Sequence, residues 1–312
     1  METSVIILTK NAGSRFKKML ERLINQSYQD FEIIVIDSGS KDKTVEIARE
    51  FGCRVYNIRP QDFHHSRTRN LGASLSRGKY LVYITQDAYP LDKKFLEKLI
   101  QPLMEDDKVA GAYGRQIAYP NAKPMEKFFY LYFYPNKRVV ITPEDLKDPI
   151  EFFISHVYIS DVCSAIKKDI WMKIKFDERI IMAEDKKWAI DVLKAGYTLV
   201  YEPKAAVYHS HNYDIISVFK RRFDDGVAMR QICKLSNTIL ISSKAISYFI
   251  NEMKYLFKSH RKWIPYSLLY NFARSFGFFL GINYERIPNI LRRKLSKHKD
   301  WWMRESKVKE KL

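Results

Sequence analysis

Residues 4–44 read SVIILTKNAGSRFKKMLERLINQSYQDFEIIVIDSGSKDKT, and the periodicity of this stretch decides the fold. Val5–Leu8 and Glu32–Ile36 are short, β-branched apolar runs bounded by polar turns, which is how buried strands read. Between them Phe16, Met19, Leu20, Leu23 and Ile24 recur at helical spacing, with Asn11 or Ser14 available as N-cap. Strand, helix and strand in this order argue for a parallel sheet flanked by helices.

The alternation continues outward from this stretch. A second helix runs from about Asp42 to a stop at Gly52, Val55–Ile58 is a third strand, and a helix near Ser66 to Ser76 ends at Gly78. Tyr80–Ile84 and Val109–Ala112 are further strands. In open α/β sheets ligands sit outside the carboxyl ends of the strands. Polar clusters stand there: Thr9-Lys10-Asn11, Asp37-Ser38-Gly39-Ser40 and Gln86-Asp87-Ala88.

Beyond Gln116 the pattern loosens into aromatic loops, densest at Phe128, Phe129, Tyr130, Tyr132, Phe133 and Tyr134, which read as an acceptor-side region laid over the sheet. A helix opens at Glu184-Asp185, carries Trp188, Ala189, Val192 and Leu193 on one face, and stops at Gly196. Leu199–Tyr201 and Val207-Tyr208-His209-Ser210-His211 close this part. The expected organisation is a catalytic unit over residues 1–215, with a nucleotide-sugar-binding half at 1–115 and an acceptor half at 116–215, followed by a helical, basic and aromatic region at 216–312.

The formal charge is +18, and its distribution matters more than its size. From Ile216 to Leu312 there are 21 Lys and Arg against 7 Asp and Glu, a net +14. Such a region can meet anionic lipid headgroups, nucleic acid or an anionic glycan carrier. No nucleic-acid recognition motif accompanies it, so nucleic acid is not an expected partner. The most apolar window, Trp263 to Tyr284, contains Asn271, Arg274 and Asn283, which suits interfacial binding better than spanning. The amino-terminal residues lack the pattern of a secretory signal, which predicts a cytoplasmic protein peripheral to the inner membrane face. Cys53, Cys163 and Cys233 are far apart and read as reduced thiols.

Sugar transfer from a nucleotide diphosphate requires neutralisation of the leaving diphosphate, recognition of the nucleoside, and a base for the acceptor hydroxyl. Asp87, just after a strand, is placed to reach a divalent ion such as Mn2+ or Mg2+. His209 and His211, two apart on an extended segment, share one face and can complete that ion's ligand shell. Asp185, in the first turn of its helix, is the candidate base, kept charged by the helix dipole. Arg67 and Arg69 open the third helix, where guanidinium groups can meet phosphate or base. His64 and His65 read as loop residues near the donor. The glycine-rich signatures of dinucleotide-binding and P-loop proteins are absent, as is a Gly-x-Ser-x-Gly elbow, which removes support for redox, phosphoryl-transfer and serine-hydrolase chemistry.

The run Ser4–Asn11, Asp37–Thr44, Arg69-Asn70-Leu71-Gly72-Ala73, Thr85-Gln86-Asp87-Ala88 and Ala183-Glu184-Asp185 resembles the family-2 glycosyltransferases of GT-A fold, a Rossmann-like α/β architecture. Tyr208–Tyr213 and Phe223-Asp224-Asp225-Gly226 add a narrower resemblance to bacterial polysaccharide rhamnosyltransferases. The resemblance implies an inverting, single-displacement transfer with Asp87 at the metal position, Asp185 as base and the Asp37-Ser38 turn near the nucleobase. It also implies a nucleotide-diphosphate sugar donor, thymidine-diphosphate rhamnose on the narrower likeness, and a glycan or lipid-linked glycan acceptor. Donor contacts are expected at Thr9, Asn11, Asp37, Ser38, Arg67, Arg69, Gln86 and Asp87. Ser38 and Gln86 stand where the family often has acids. A second reading of the same sequence is a catalytically degenerate scaffold in a membrane-bound glycan assembly complex.

Overall fold

The computed structural model describes residues 1–234 and 243–309, so that part of the expected 216–312 region lies outside the described residues. The strands are β1 (Thr3–Thr9), β2 (Phe31–Asp37), β3 (Arg54–Asn57), β4 (Tyr80–Ile84), β5 (Tyr89–Pro90), β6 (Val109–Ile117), β7 (Val139–Ile141), β8 (Cys163–Lys167) and β9 (Thr198–Tyr208). The helices of the sheet region are α1 (Gly13–Ile24), α2 (Thr44–Glu50), α3 (His65–Leu75), α4 (Phe95–Glu105), α5 (Pro124–Phe133), α6 (Pro149–Ser155), α7 (Lys168–Lys173) and α8 (Glu184–Lys194). Then follow α9 (Ile215–Cys233), α10 (Ser243–Ser259), α11 (Ile264–Ile282), α12 (Asn289–Leu295) and α13 (Lys299–Lys309).

Among the described residues one sheet runs in the order β3-β2-β1-β4-β8-β6-β9-β5, with β7 on β9. The first four strands are parallel, and β1, β2 and β4, whose continuous apolar runs predict this, are buried on both faces. The sheet as a whole is mixed. β8, Cys163–Lys167, enters antiparallel between β4 and β6. β8 reads Cys-Ser-Ala-Ile-Lys, too rich in small and polar residues to announce a strand. One apolar layer packs β1, β2 and β4 against α1 and α4 through Val5, Phe16, Leu20, Val82 and Leu99, and the other faces Trp188, Tyr113 and Tyr201.

α1 starts without a side-chain cap from Asn11 or Ser14. The hydroxyl of Thr44 accepts from the backbone N–H of Ala12 at 2.8 Å instead, and Asn11 adopts a left-handed φ of 48° to accept from Lys41 N–H at 2.8 Å. The aromatic stretch expected as loop is largely α5. Phe128 meets Tyr248 and Tyr255, and Phe133 stacks on Tyr248, so this cluster is the seam to α10.

α9 and α11 cross closely because glycines line the contact. A Cβ at Gly281 would stand 2.1 Å from the carbonyl oxygen of Phe223, and one at Gly277 2.4 Å from that of Phe219. No side chain fits between the two backbones there. Among the described residues no helix is long and apolar enough to cross a membrane. Cys53, Cys163 and Cys233 are free thiols, the first two buried.

Candidate functional site

The two-residue strand β5 is what assembles the site. Its antiparallel pairing of Tyr89 with Tyr208 folds the β4 exit loop onto the end of β9. Asp87 thereby meets both histidines: His209 Nε2 lies 3.7 Å from Asp87 Oδ1 and His211 Nδ1 lies 3.8 Å from Asp87 Oδ2. One ligand atom from each lies within 4.8 Å of the others.

The donor set can be tested for fit to a metal. The Tyr134 hydroxyl donates to the Val157 carbonyl at 3.3 Å and accepts from Gln116 Nε2 at 2.9 Å. Gln116 Oε1 is then an acceptor, 2.8 Å from His209 Nδ1, which must carry the proton. The lone pair of His209 is left on Nε2, facing Asp87. A ring oriented through its far nitrogen is the usual support of a metal-ligating histidine. Burial pushes the pKa of His209 down to about 4, which keeps the imidazole neutral as ligation requires. His211 is lowered by burial as well, and its ring stacks on Tyr213 at 5.0 Å. These residues fit a divalent ion, and two nitrogens with one carboxylate suit Mn2+ better than Mg2+.

A cleft of about 320 Å³ opens beside this cluster, lined by Arg15, Asp87, Tyr119, His211 and Tyr213 among others. Tyr119, which the sequence did not single out, donates to the Asp87 carbonyl at 2.6 Å and stacks on Tyr208. A larger cavity of about 680 Å³ lies at the other end of the central strands, where β4 begins and β8 ends, beside Gly78 and Lys168. It contains none of the candidate residues, and size alone does not make it the site.

Asp185 stands at the start of α8, entered through Ala183 in a left-handed φ of 62°. A non-glycine residue held there is strained, and such strain gathers at functional sites. Asp185 Oδ2 accepts from Asp161 N–H at 3.2 Å and Oδ1 from Lys186 N–H at 2.8 Å. Val162 in turn accepts from Thr85 N–H at 3.1 Å, which ties this group to the Asp87 loop. The helix dipole was expected to hold Asp185 low, but burial and the neighbouring Glu184 raise its pKa. A raised carboxylate is the stronger base. Asp161, unremarkable in the sequence, is buried beside it, and its pKa is raised to about 7, chiefly by burial.

Arg69 does not face a ligand. It turns inward to Glu184 and, through Nε, to Asp161 Oδ2 at 3.1 Å, and is buried. Withdrawing the cation from buried carboxylates would cost about 3–5 kcal/mol, so Arg69 serves the acids rather than a phosphate. Arg67 lies on the surface, paired with Glu178 at 3.1 Å. Gln86 is also occupied: its Oε1 accepts from Lys10 N–H at 2.8 Å and its Nε2 donates to Lys10 O at 3.3 Å. An acid could make only the first of these bonds, so Gln86 is a stitch between the β1 and β4 loops and no ligand.

Thr9, Asp37 and Ser38 are buried. Asp37 accepts from Thr9 Oγ1 at 2.9 Å and from the N–H groups of Gly39 and Ser40 at 3.0 and 2.8 Å, while Ser38 Oγ donates to Thr9 O at 3.0 Å. They shape the turn, in which Gly39 takes a φ of 82°. Asn11 is exposed between the two loops. His64 lies in the loop as the residue that caps α3, whereas His65 belongs to the helix. His64 Nε2 bonds Ile180 O at 2.9 Å, and His65, the first residue of α3, packs edge-on against His298 at 5.3 Å.

The profile of Glycosyl transferase family 2 matches residues 4–171. The O-antigen chain rhamnosyltransferase RfbN of Salmonella typhimurium is 31% identical over 306 residues, 97% of this chain and 96% of that protein. WbaN of Salmonella anatum, also named an O-antigen chain rhamnosyltransferase, is 30% identical over 96% of this chain and 95% of its own. The mannosyltransferase PcManGT of Pyrobaculum calidifontis, solved with GDP-Man and Mn2+, superposes with a TM-score of 0.54 at 14% identity, over 97% of this chain and 85% of that one. S. aureus TarS in complex with UDP-GlcNAc gives 0.55 at 15% identity, over 95% and 84%. The sheet and its flanking helices are therefore the GT-A fold, with a helical carboxy-terminal region added.

Proposed function

Because the chain belongs to glycosyl transferase family 2, we propose that it transfers L-rhamnose from a thymidine-diphosphate donor to an acceptor hydroxyl of a growing surface polysaccharide, with inversion at the anomeric carbon. The observation that carries this reading is the meeting of Asp87, His209 and His211 at one edge of the sheet, in a chain alike to two O-antigen rhamnosyltransferases over almost its whole length. Asp87, His209 and His211 would hold a divalent ion, Mn2+ before Mg2+, whose positive charge offsets that developing on the leaving diphosphate. Mn2+ is also present in the PcManGT complex. Asp185 takes the proton of the attacking hydroxyl. Thr9, Asp37, Ser38 and Asn11 set the turn against which the nucleoside lies, and residues 1–215 form the catalytic unit.

Transfer or slow hydrolysis across a panel of nucleotide sugars with Mn2+ tests the donor. Turnover of thymidine-diphosphate rhamnose above uridine- and guanosine-linked sugars is expected. Preference for another sugar would overturn the rhamnose reading, and absence of turnover with every donor would favour a scaffold.

The partner of the carboxy-terminal region is an anionic membrane surface at the cytoplasmic face. α11 turns Ser267, Tyr270, Ala273 and Gly277 inward and leaves Leu268, Leu269, Phe272, Phe276 and Phe279 41 to 64% exposed along its other side. α10 adds Ile246, Ile250 and Phe257, and exposed Lys254, Lys258, Arg261 and Lys262 stand beside them. An apolar stripe with a basic border matches an anionic interface. Each half-exposed ring is worth about 1 kcal/mol on insertion. Replacing Phe272, Phe276 and Phe279 by serine should therefore weaken flotation with phosphatidylglycerol vesicles about a hundredfold. If the unaltered protein fails to float, or if the triple change alters only self-association in sedimentation, the membrane assignment falls.

A further inference from the structure

We propose that Arg221 and Lys297, supplied by the carboxy-terminal helices, bind the leaving diphosphate of the donor, so that the diphosphate subsite is completed from outside the family-matched residues 4–171. The proposal rests on placing that diphosphate at the Asp87, His209 and His211 cluster.

The path from the cluster to these cations is short. The ring of His211 stacks on Tyr213 at 5.0 Å, and Lys297 Nζ lies 3.9 Å from the centroid of the same tyrosine ring. Arg221, in the second turn of α9, bears on His209, His211, Tyr213 and Lys297 and also on Asp185.

Both groups are available to a ligand. Asp225 is shared, with Arg222 at 2.9 Å and Arg221 at 3.4 Å, so one carboxylate answers two guanidinium groups. The Arg221 side chain is 40% exposed. Asp224 does not meet the Lys297 ammonium. Its Oδ2 accepts the backbone N–H of Lys297 at 2.8 Å, and its carboxyl, buried, is raised to about 7. Asp214, a second acid near Lys297, is engaged by Ser217 N–H at 2.6 Å as the cap of α9, and the third, Asp225, is the carboxylate that Arg221 and Arg222 already share. Positive charge is therefore in surplus beside the cluster.

Both cations are also held in place. Asp224 pins the backbone at Lys297, and the adjacent Ser296 is fully buried. The glycine crossing with α11 fixes α9 beneath Arg221. A nucleoside diphosphate carries more negative charge than one divalent ion cancels, and preorganised Arg and Lys groups are a usual complement on a departing phosphate.

A diphosphate could equally belong to a lipid-linked acceptor, and the test separates the two. Calorimetric titration of thymidine diphosphate with Mn2+, without acceptor, is expected to give a Kd raised about tenfold to a hundredfold by Arg221→Met and by Lys297→Met. Lys297→Arg should stay near the unaltered value, and thymidine alone should bind all forms equally. Thermal melting confirms that the variants are folded. Unchanged diphosphate affinity overturns the proposal, and a rise in acceptor KM alone assigns the cations to the acceptor. If the unaltered protein prefers uridine or guanosine diphosphate, the rhamnose reading fails, and the same titrations with that nucleotide decide the role of Arg221 and Lys297. Failure to bind any nucleoside diphosphate overturns both.

Discussion

Asp185→Asn is expected to lower kcat by about 10² to 10⁴ while donor affinity stays near its original value. The amide oxygen can still accept one of the two N–H groups that the carboxylate accepts, from Asp161 at 3.2 Å and from Lys186 at 2.8 Å, so the start of α8 keeps one of its two ties. What is lost is the ability to take a proton. Burial and Glu184 hold the Asp185 carboxyl above the usual range, so activity falls as pH drops through that raised value. The acid limb of kcat/KM should therefore lie above the ordinary aspartate pKa of about 4. Single-turnover transfer with saturating donor, measured across pH, checks both points. Transfer by the asparagine variant at the original rate would remove Asp185 from the chemistry.

Asp87→Ala is expected to abolish the Mn2+-dependent part of nucleoside diphosphate binding and with it nearly all transfer. It removes the carboxylate that both histidine nitrogens face at 3.7 and 3.8 Å. Gln116→Leu gives a graded companion. It leaves Asp87, His209 and His211 in place but takes away the acceptor that keeps the His209 proton on Nδ1. Outer partners of this kind change metal affinity by about tenfold to a hundredfold. Titration of Mn2+ followed by its electron paramagnetic resonance signal reads this affinity without turnover. Equal Mn2+ affinity in the original protein and the Asp87 variant would exclude the cluster as the metal site.

The periodic parts of this architecture were legible. β1, β2 and β4 are continuous apolar runs, and α1 and α8 repeat their buried residues at helical spacing, so burial itself writes the pattern. β5 and β8 left no such trace, being two residues long and rich in small or polar residues respectively. That Asp87, His209 and His211 lie together was legible because strand alternation and strand ends are local features. The orientation of Arg69 was not legible. Its helix face shows in the sequence, but its partner Glu184 stands 115 positions away. Gln86 was read as a missing acid, whereas its amide matches the peptide of Lys10 at both ends. Asp161 has no acidic neighbour in the chain to mark it, and only the fold places it against Asp185.

The insertion of β8 between β4 and β6 bears on how relatives can be recombined. A chimera joined after residue 115 takes β4 and β6 from one parent and β8 from the other, so both ladders of β8 would be of mixed origin. Val82 and Ala112 meet opposite sides of the same residue, Ala165, and small core residues of this kind must match in size. The two halves of the sheet are thereby inherited together. Shuffling parts of relatives independently calls for exchange of surface loops, because exchange at residue 115 would break the packing of the one continuous sheet.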